Sequence, residues 1–114
     1  MFENSSEETA YHKLLILYIL YKIKMDLTNS QITQVVLETE MMNYFSLQQL
    51  LSQLMESKFL KIYKDSDKEY YCLTQKALET LESLMLKIPI DSANKVDHYI
   101  KLNKERENTN HKQK

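Results

Sequence analysis

The feature that most constrains this chain is a helix-start grammar written twice and then followed by a hairpin pattern. Leu27-Thr28-Asn29-Ser30-Gln31-Ile32 and Phe45-Ser46-Leu47-Gln48-Gln49-Leu50 both run apolar, hydroxyl, two residues, glutamine, apolar. In each, the Thr28 or Ser46 hydroxyl is placed to accept a hydrogen bond from the backbone N–H three residues on. The Gln31 or Gln49 amide is placed to reach back to the cap's own N–H. The flanking pairs, Leu27 with Ile32 and Phe45 with Leu50, are placed to close as hydrophobic staples. Two short helices are therefore predicted, starting at Thr28 and at Ser46.

Hydropathy supplies the elements around them. A first helix is predicted from about Ala10 to Met25, and Leu14, Leu15, Leu17, Tyr18, Leu20 and Tyr21 make it apolar nearly all round. Such a helix has to be covered on every side, either by its own domain or in part by a second copy of the chain. The second helix turns Ile32, Val35 and Val36 inward and gives out around Glu40 to Asn43. The third, over 46–57, has the cleanest period in the chain, with Leu47, Leu50, Leu51 and Leu54 at i, i+3, i+4 and i+7. Phe59–Tyr63 and Glu69–Leu73 are β-prone runs joined by the polar Lys64–Lys68, a hairpin-length connection without a glycine for a tight primed turn. They make a wing over 60–73. Thr74 caps a fourth helix with a stripe of Ala77, Leu78, Leu81, Leu84, Met85 and Ile88, stopped by Pro89. A fifth begins near Asp91 with Ala93, Val96, Tyr99 and Ile100 on one side.

This order is the plan of a winged helix-turn-helix, mainly α with a small β-hairpin: a three-helix core plus wing and C-terminal helices. The expected organisation is a flexible N-terminus at 1–9 and the winged-helix domain at 10–88. A C-terminal helix at 89–102, a candidate for dimerisation, and a disordered or loosely helical tail at 103–114 complete it.

Composition narrows the function classes. The chain has 114 residues, 43% of them apolar, enough for one domain with a modest core. The single Cys72 cannot form an internal disulfide, and no Cys/His cluster has zinc-ligand spacing. Glu3, Glu7 and Glu8 are opposite in sign to the start of a signal peptide. The apolar run Leu14–Tyr21, between Lys13 and Lys22, falls short of the roughly 20 residues that span a bilayer. A cytoplasmic protein with no membrane association is expected. There is no glycine anywhere for a phosphate-cradling loop or an oxyanion turn. His12, His98 and His111 have no recurring carboxylate partner and read as exposed polar residues. No enzyme and no cofactor is expected. The eight tyrosines scatter across four elements and read as core and interface amphiphiles rather than a base-stacking platform.

Two resemblances follow from particular strings. Tyr71-Cys72-Leu73-Thr74-Gln75-Lys76-Ala77 resembles the Y-x-L-T-x-x-G signature of MarR- and PadR-like winged-helix regulators, where the second wing strand turns into the next helix. Lys13–Tyr18, Leu27–Ile32, Asn43-Tyr44-Phe45-Ser46-Leu47-Gln48-Gln49 and Ile88-Pro89 resemble a bacterial winged-helix family known as a domain of unknown function, number 4364. That resemblance spans roughly residues 11–100 and implies transcription regulation by analogy of fold. The chain departs from its relatives' glycines at Lys58 and Ala77. Lys58 either adopts a left-handed conformation at a cost or leaves the third helix by another route. Ala77, inside a helix, is the better helix former.

On this plan the third helix is the recognition helix. Its polar face, Gln48, Gln49, Ser52 and Gln53, faces base edges, since glutamine pairs bidentately with adenine. Asn43, Tyr44 and Ser46, just ahead of it, face phosphates. Lys58, Lys61, Lys64 and Lys68 lie in or beside the wing, and Lys101, Lys104, Arg106, Lys112 and Lys114 add charge to the tail. Against this stand a formal net charge of −1, a recognition helix without Lys or Arg, and Asp65, Asp67 and Glu69 among the wing lysines. The reading is a homodimeric transcriptional regulator that binds double-stranded DNA. Leu14, Leu17, Tyr18, Tyr21, Val96, Tyr99 and Ile100 would lie in the dimer interface. The alternatives are a recombination-accessory or architectural DNA-binding factor, and a winged helix that docks a protein partner without DNA binding.

Overall fold

The computed structural model describes the backbone of residues 2–112 and the side chains of residues 7–104. Among these, the elements run α1 (Phe2–Ile23), α2 (Asn29–Glu38), α3 (Tyr44–Glu56), β1 (Leu60–Asp65), β2 (Lys68–Leu73), α4 (Gln75–Leu84), a 3-10 turn (Met85–Lys87) and α5 (Ile90–Lys112). The result is mainly helical with one antiparallel hairpin, the arrangement of a winged helix. Helical backbone begins earlier than Ala10 and runs later than residue 102, because neither end segment holds a glycine or proline to break it. Residues 1, 113 and 114, and the side chains of Arg106, Lys112 and Lys114, lie outside the described residues.

α1 is the central post. Every residue from Leu14 to Leu20 is buried, and α3, α4, α5 and β2 all pack on the helix. Its own chain therefore provides the cover. Four residues assigned to a dimer interface, Leu14, Leu17, Tyr18 and Val96, are instead buried in the interior of the single chain. Of the seven residues assigned to an interface, Tyr21 is exposed and Tyr99 and Ile100 are half-buried.

The two helix starts differ. At α2 the Thr28 hydroxyl accepts from the Gln31 N–H at 3.2 Å and the Gln31 side chain accepts from the Thr28 N–H at 2.9 Å, a complete capping box. Leu27 and Ile32 are both buried in the core. At α3 the cap is Asn43, whose side chain accepts from the Ser46 N–H at 2.8 Å. Tyr44, Phe45 and Ser46 thus lie inside the helix, not ahead of it, and Phe45 points into solvent with 81% exposure rather than stapling to Leu50. Asn and Ser are near-equal caps in themselves, so the flanking apolar residues decide. Met42 and Leu47 hold the staple positions around Asn43, Met42 packed on the core and Leu47 fully buried.

The helix ends show how a chain without glycine turns corners. α1 stops at Lys24, α2 at Glu40 and α3 at Lys58, with φ of 64°, 56° and 69°. At α3 the Lys58 N–H donates to the Met55 carbonyl and the Phe59 N–H to the Leu54 carbonyl. At α2, Glu40 donates to Leu37 and Met41 to Val36 in the same pattern. Both are Schellman ends, with a charged residue in the place glycine usually takes. Lys58 accordingly adopts the left-handed conformation, where Cβ crowds the following carbonyl at a cost of about 1–2 kcal/mol.

The wing is tighter than its composition predicts. Asp65 pairs with Lys68, which leaves a two-residue turn at Ser66 and Asp67. Both have positive φ, 53° and 70°, as a primed turn requires. The predicted loop at Lys64–Lys68 is therefore mostly strand. A short segment at Leu27 joins the other side of β2: the Tyr71 N–H donates to the Leu27 carbonyl at 2.7 Å, and the Leu27 N–H donates back at 3.3 Å. Thr74 caps α4 by accepting from the Ala77 N–H and donates its own proton to the Lys58 carbonyl at 2.7 Å. It thereby binds the exit of the wing to the end of α3. Ala77, Leu81 and Ile88 are buried from the α4 side, and Val96 is fully buried where α5 crosses α1.

Candidate nucleic-acid interface

The relation between α2 and α3 is held by side-chain amides. Asn29 Nδ2 donates to Gln48 Oε1 at 2.7 Å, and Gln48 Nε2 donates back to Asn29 Oδ1 at 3.0 Å. Gln48 also donates to the Thr33 hydroxyl at 3.3 Å, Thr33 donates to Asn29 Oδ1 at 3.2 Å, and Asn29 donates to the Tyr71 hydroxyl at 3.2 Å. One cluster therefore joins the start of α2, the inner side of α3 and the wing strand β2. A half-buried amide left without these partners would lose about 1–3 kcal/mol. Gln48 is consequently turned away from the outer surface on which the sequence reading placed it.

What α3 presents outward is a stripe of Phe45, Gln49, Ser52 and Glu56, at i, i+4, i+7 and i+11. Tyr44 flanks it and meets the Phe45 ring edge-on at 5.6 Å between centroids. Gln49 and Ser52 make no side-chain hydrogen bonds within the described residues, so their polar groups remain open to a ligand. Gln53 is half-buried beside them. Asn43 closes the first turn, and the remaining N–H groups of that turn project forward from the helix start.

The wing carries less positive field than its lysines suggest. Lys64 lies opposite Glu69 and Lys68 opposite Asp65, so two of its three lysines face a carboxylate across the ladder. Lys61 faces Cys72 instead, and Lys58 stands exposed at the foot of α3. Lys76, at the start of α4, donates to the Ser57 carbonyl at 2.8 Å, with its ammonium 4.5 Å from the centre of the Phe59 ring. That cation satisfies the end of α3. On the outer face of the hairpin Tyr63 stacks on Tyr70 at 5.6 Å and donates to Asp26 at 2.6 Å. The bond to the Asp26 carboxylate, followed by burial, pushes the Tyr63 hydroxyl up to about 12. Burial, then the charge of Asp26, raises Cys72, while Lys61 opposes the rise.

Asn43, Tyr44, Ser46, Gln49 and Ser52 are thus gathered on the outer and leading surface of α3, with Lys58 at its far end. Gln48 is withdrawn, and Lys64 and Lys68 lie opposite Glu69 and Asp65 in the ladder. Sequence reasoning missed Phe45 as a surface residue, although Asn43 three residues before Ser46 was a competing cap signal. It also missed Asn29 and Tyr71 as partners of Gln48, which no local spacing announces. Among the described residues no helix is long and apolar enough to cross a membrane, and no three His, Cys, Asp or Glu side chains gather as metal ligands.

No curated protein and no solved structure matches the chain. The family described as Domain of unknown function (DUF4364) matches residues 12–114, from the middle of α1 through the wing and α5, and the chain belongs to that family.

Proposed function

We propose that this chain binds double-stranded DNA and regulates transcription, with α3 as the recognition helix and the β1–β2 hairpin as the wing. The observation that carries this reading is the outward stripe of α3. A helix of this length, held against α2 by an amide cluster and carrying unengaged Gln49 and Ser52, has the dimensions and chemistry to enter a major groove. Lys58, exposed at the foot of α3, and Lys61, which lies opposite Cys72, supply phosphate contacts at one end. Asn43 and Ser46 supply them at the other. In this reading the protein works beside the DNA in the cytoplasm. It acts as a homodimer, with Tyr21 the exposed residue among those assigned to the interface, so that a second recognition helix compensates for a weak field.

Binding of the full chain to duplex DNA across a salt titration tests the proposal. Affinity should fall with rising salt, and Lys58→Ala and Lys61→Ala should each reduce the slope by about 1. Lys64→Ala and Lys68→Ala should reduce it less, because each lysine already faces a carboxylate. Absence of duplex binding at low salt by the folded chain would overturn the reading. It would favour the second one, a protein-docking winged helix, for which the exposed Phe45 and the lack of Lys or Arg on α3 speak.

A further inference from the structure

The outer face of α3 limits which base pairs it can recognise. Guanine is read mainly by Arg or Lys on its O6 and N7, and cytosine by a carboxylate accepting from N4. α3 has no Arg or Lys. Its one outward carboxylate, Glu56, ends the helix, about 16 Å along the axis from Phe45 at the standard rise. Helix-turn-helix proteins meet base edges with the leading residues of the recognition helix; here the outward stripe begins with Phe45 and Gln49, with Tyr44 against the edge of the Phe45 ring. An aromatic ring in the major groove has one apolar partner on a base edge, the C5 methyl of thymine. A free carboxamide has one bidentate partner, N6 and N7 of adenine. Gln49 follows Phe45 by one turn, about 6 Å of rise, which is close to two base steps.

We infer that α3 reads A·T base pairs, with the Phe45 ring against a thymine methyl and the Gln49 amide on an adenine within about two steps of it. This rests on the DNA-binding reading above and narrows its ligand to duplexes with adjacent A·T pairs. Gln48 takes no part, because its amide is engaged by Asn29 and Thr33. Ser52, which can bond to any base, adds no preference.

The test uses the full chain and a pool of randomised duplexes selected at low salt, followed by affinity measurements on selected duplexes. Bound duplexes should be enriched in neighbouring A·T pairs. Replacing thymine by uracil in a selected duplex, which removes only the methyl, should weaken wild type severalfold and leave Phe45→Ala indifferent. Replacing adenine by 7-deazaadenine should weaken wild type by about tenfold, within the range of a lost bidentate pair, and leave Gln49→Ala indifferent. Both side chains are exposed, so circular dichroism should show both variants folded. Duplex binding without A·T enrichment, or a wild type insensitive to uracil and to 7-deazaadenine, would overturn the inference and leave DNA binding standing. No duplex binding by the folded wild type would overturn both.

Discussion

The starts of α2 and α3 carry one local grammar and reach two structures. At Thr28 the hydroxyl, the glutamine and the flanking leucine all take the places their spacing assigns. At Ser46 none does: Asn43 caps, Ser46 becomes the third helical residue, Gln49 faces solvent and Phe45 stands 81% exposed. Leu27 is tied to the rest of the fold by its two backbone hydrogen bonds to Tyr71, which hold it over the core. Phe45 has no such tether, and Met42 supplies an alternative apolar residue before Asn43. A capping motif is thus a local offer, and the packing around it decides acceptance. For α3 the consequence is a different surface, since the later start would hide the ring that now stands exposed on its first turn.

Substitution at paired positions can break this comparison. The largest difference is expected between the two would-be staples. Leu27→Ala should lower unfolding free energy by about 2–4 kcal/mol, as core truncations do, whereas Phe45→Ala should change it by less than about 0.5 kcal/mol. Urea unfolding followed by circular dichroism reads both. Equal losses would mean that Phe45 packs inward after all.

The glutamines come next. Gln48→Ala should cost about 1–2 kcal/mol, because it leaves Asn29 short of its partner. Gln49→Ala should be nearly neutral for stability. The same urea series, with Asn29→Ala added, gives a double-mutant cycle in which Asn29 and Gln48 couple and Asn29 and Gln49 do not.

The caps themselves should differ by about 1 kcal/mol. Thr28→Ala and Asn43→Ala each remove a working cap, while Ser46→Ala removes none. A destabilised Ser46→Ala with a silent Asn43→Ala would restore the symmetric reading. At the other ends of these helices symmetry should hold: Glu40→Gly and Lys58→Gly relieve the same left-handed strain and should each stabilise by about 1 kcal/mol. Thermal melts at several urea concentrations would show it as a small rise for both variants.

Much of the architecture was legible in residue order. The apolar period of Leu47, Leu50, Leu51 and Leu54, the Thr28 and Thr74 caps and the two β-prone runs are all local statements, and each element forms where they point, while α4 gives way to a 3-10 turn at Met85–Lys87 before Pro89 is reached. The wing turn was harder to read, since Ser66 and Asp67 take positive φ without the glycine that usually announces it. The candidate site was legible only in part. Periodicity puts Gln48 and Gln49 on the same polar side of α3, and one position of rotation separates a residue that holds the fold from one that faces solvent.

By itself, then, the sequence determined the succession of elements and the inward stripe of each helix, because hydrogen-bonding caps and hydrophobic periods act over three to seven residues. Tertiary structure decided which cap starts α3, that Phe45 faces out and Gln48 in, that two wing lysines come into register opposite acidic residues, and that the apolar stretch of α1 is enclosed by its own chain. Each of these depends on partners far along the chain, such as Asn29 for Gln48, Tyr71 for Leu27, and α3, α4 and α5 for α1. Local propensity carries no information about where such partners arrive. Only the packed core sets the rotation of α3 about its axis, and that rotation selects the side chains it turns to solvent.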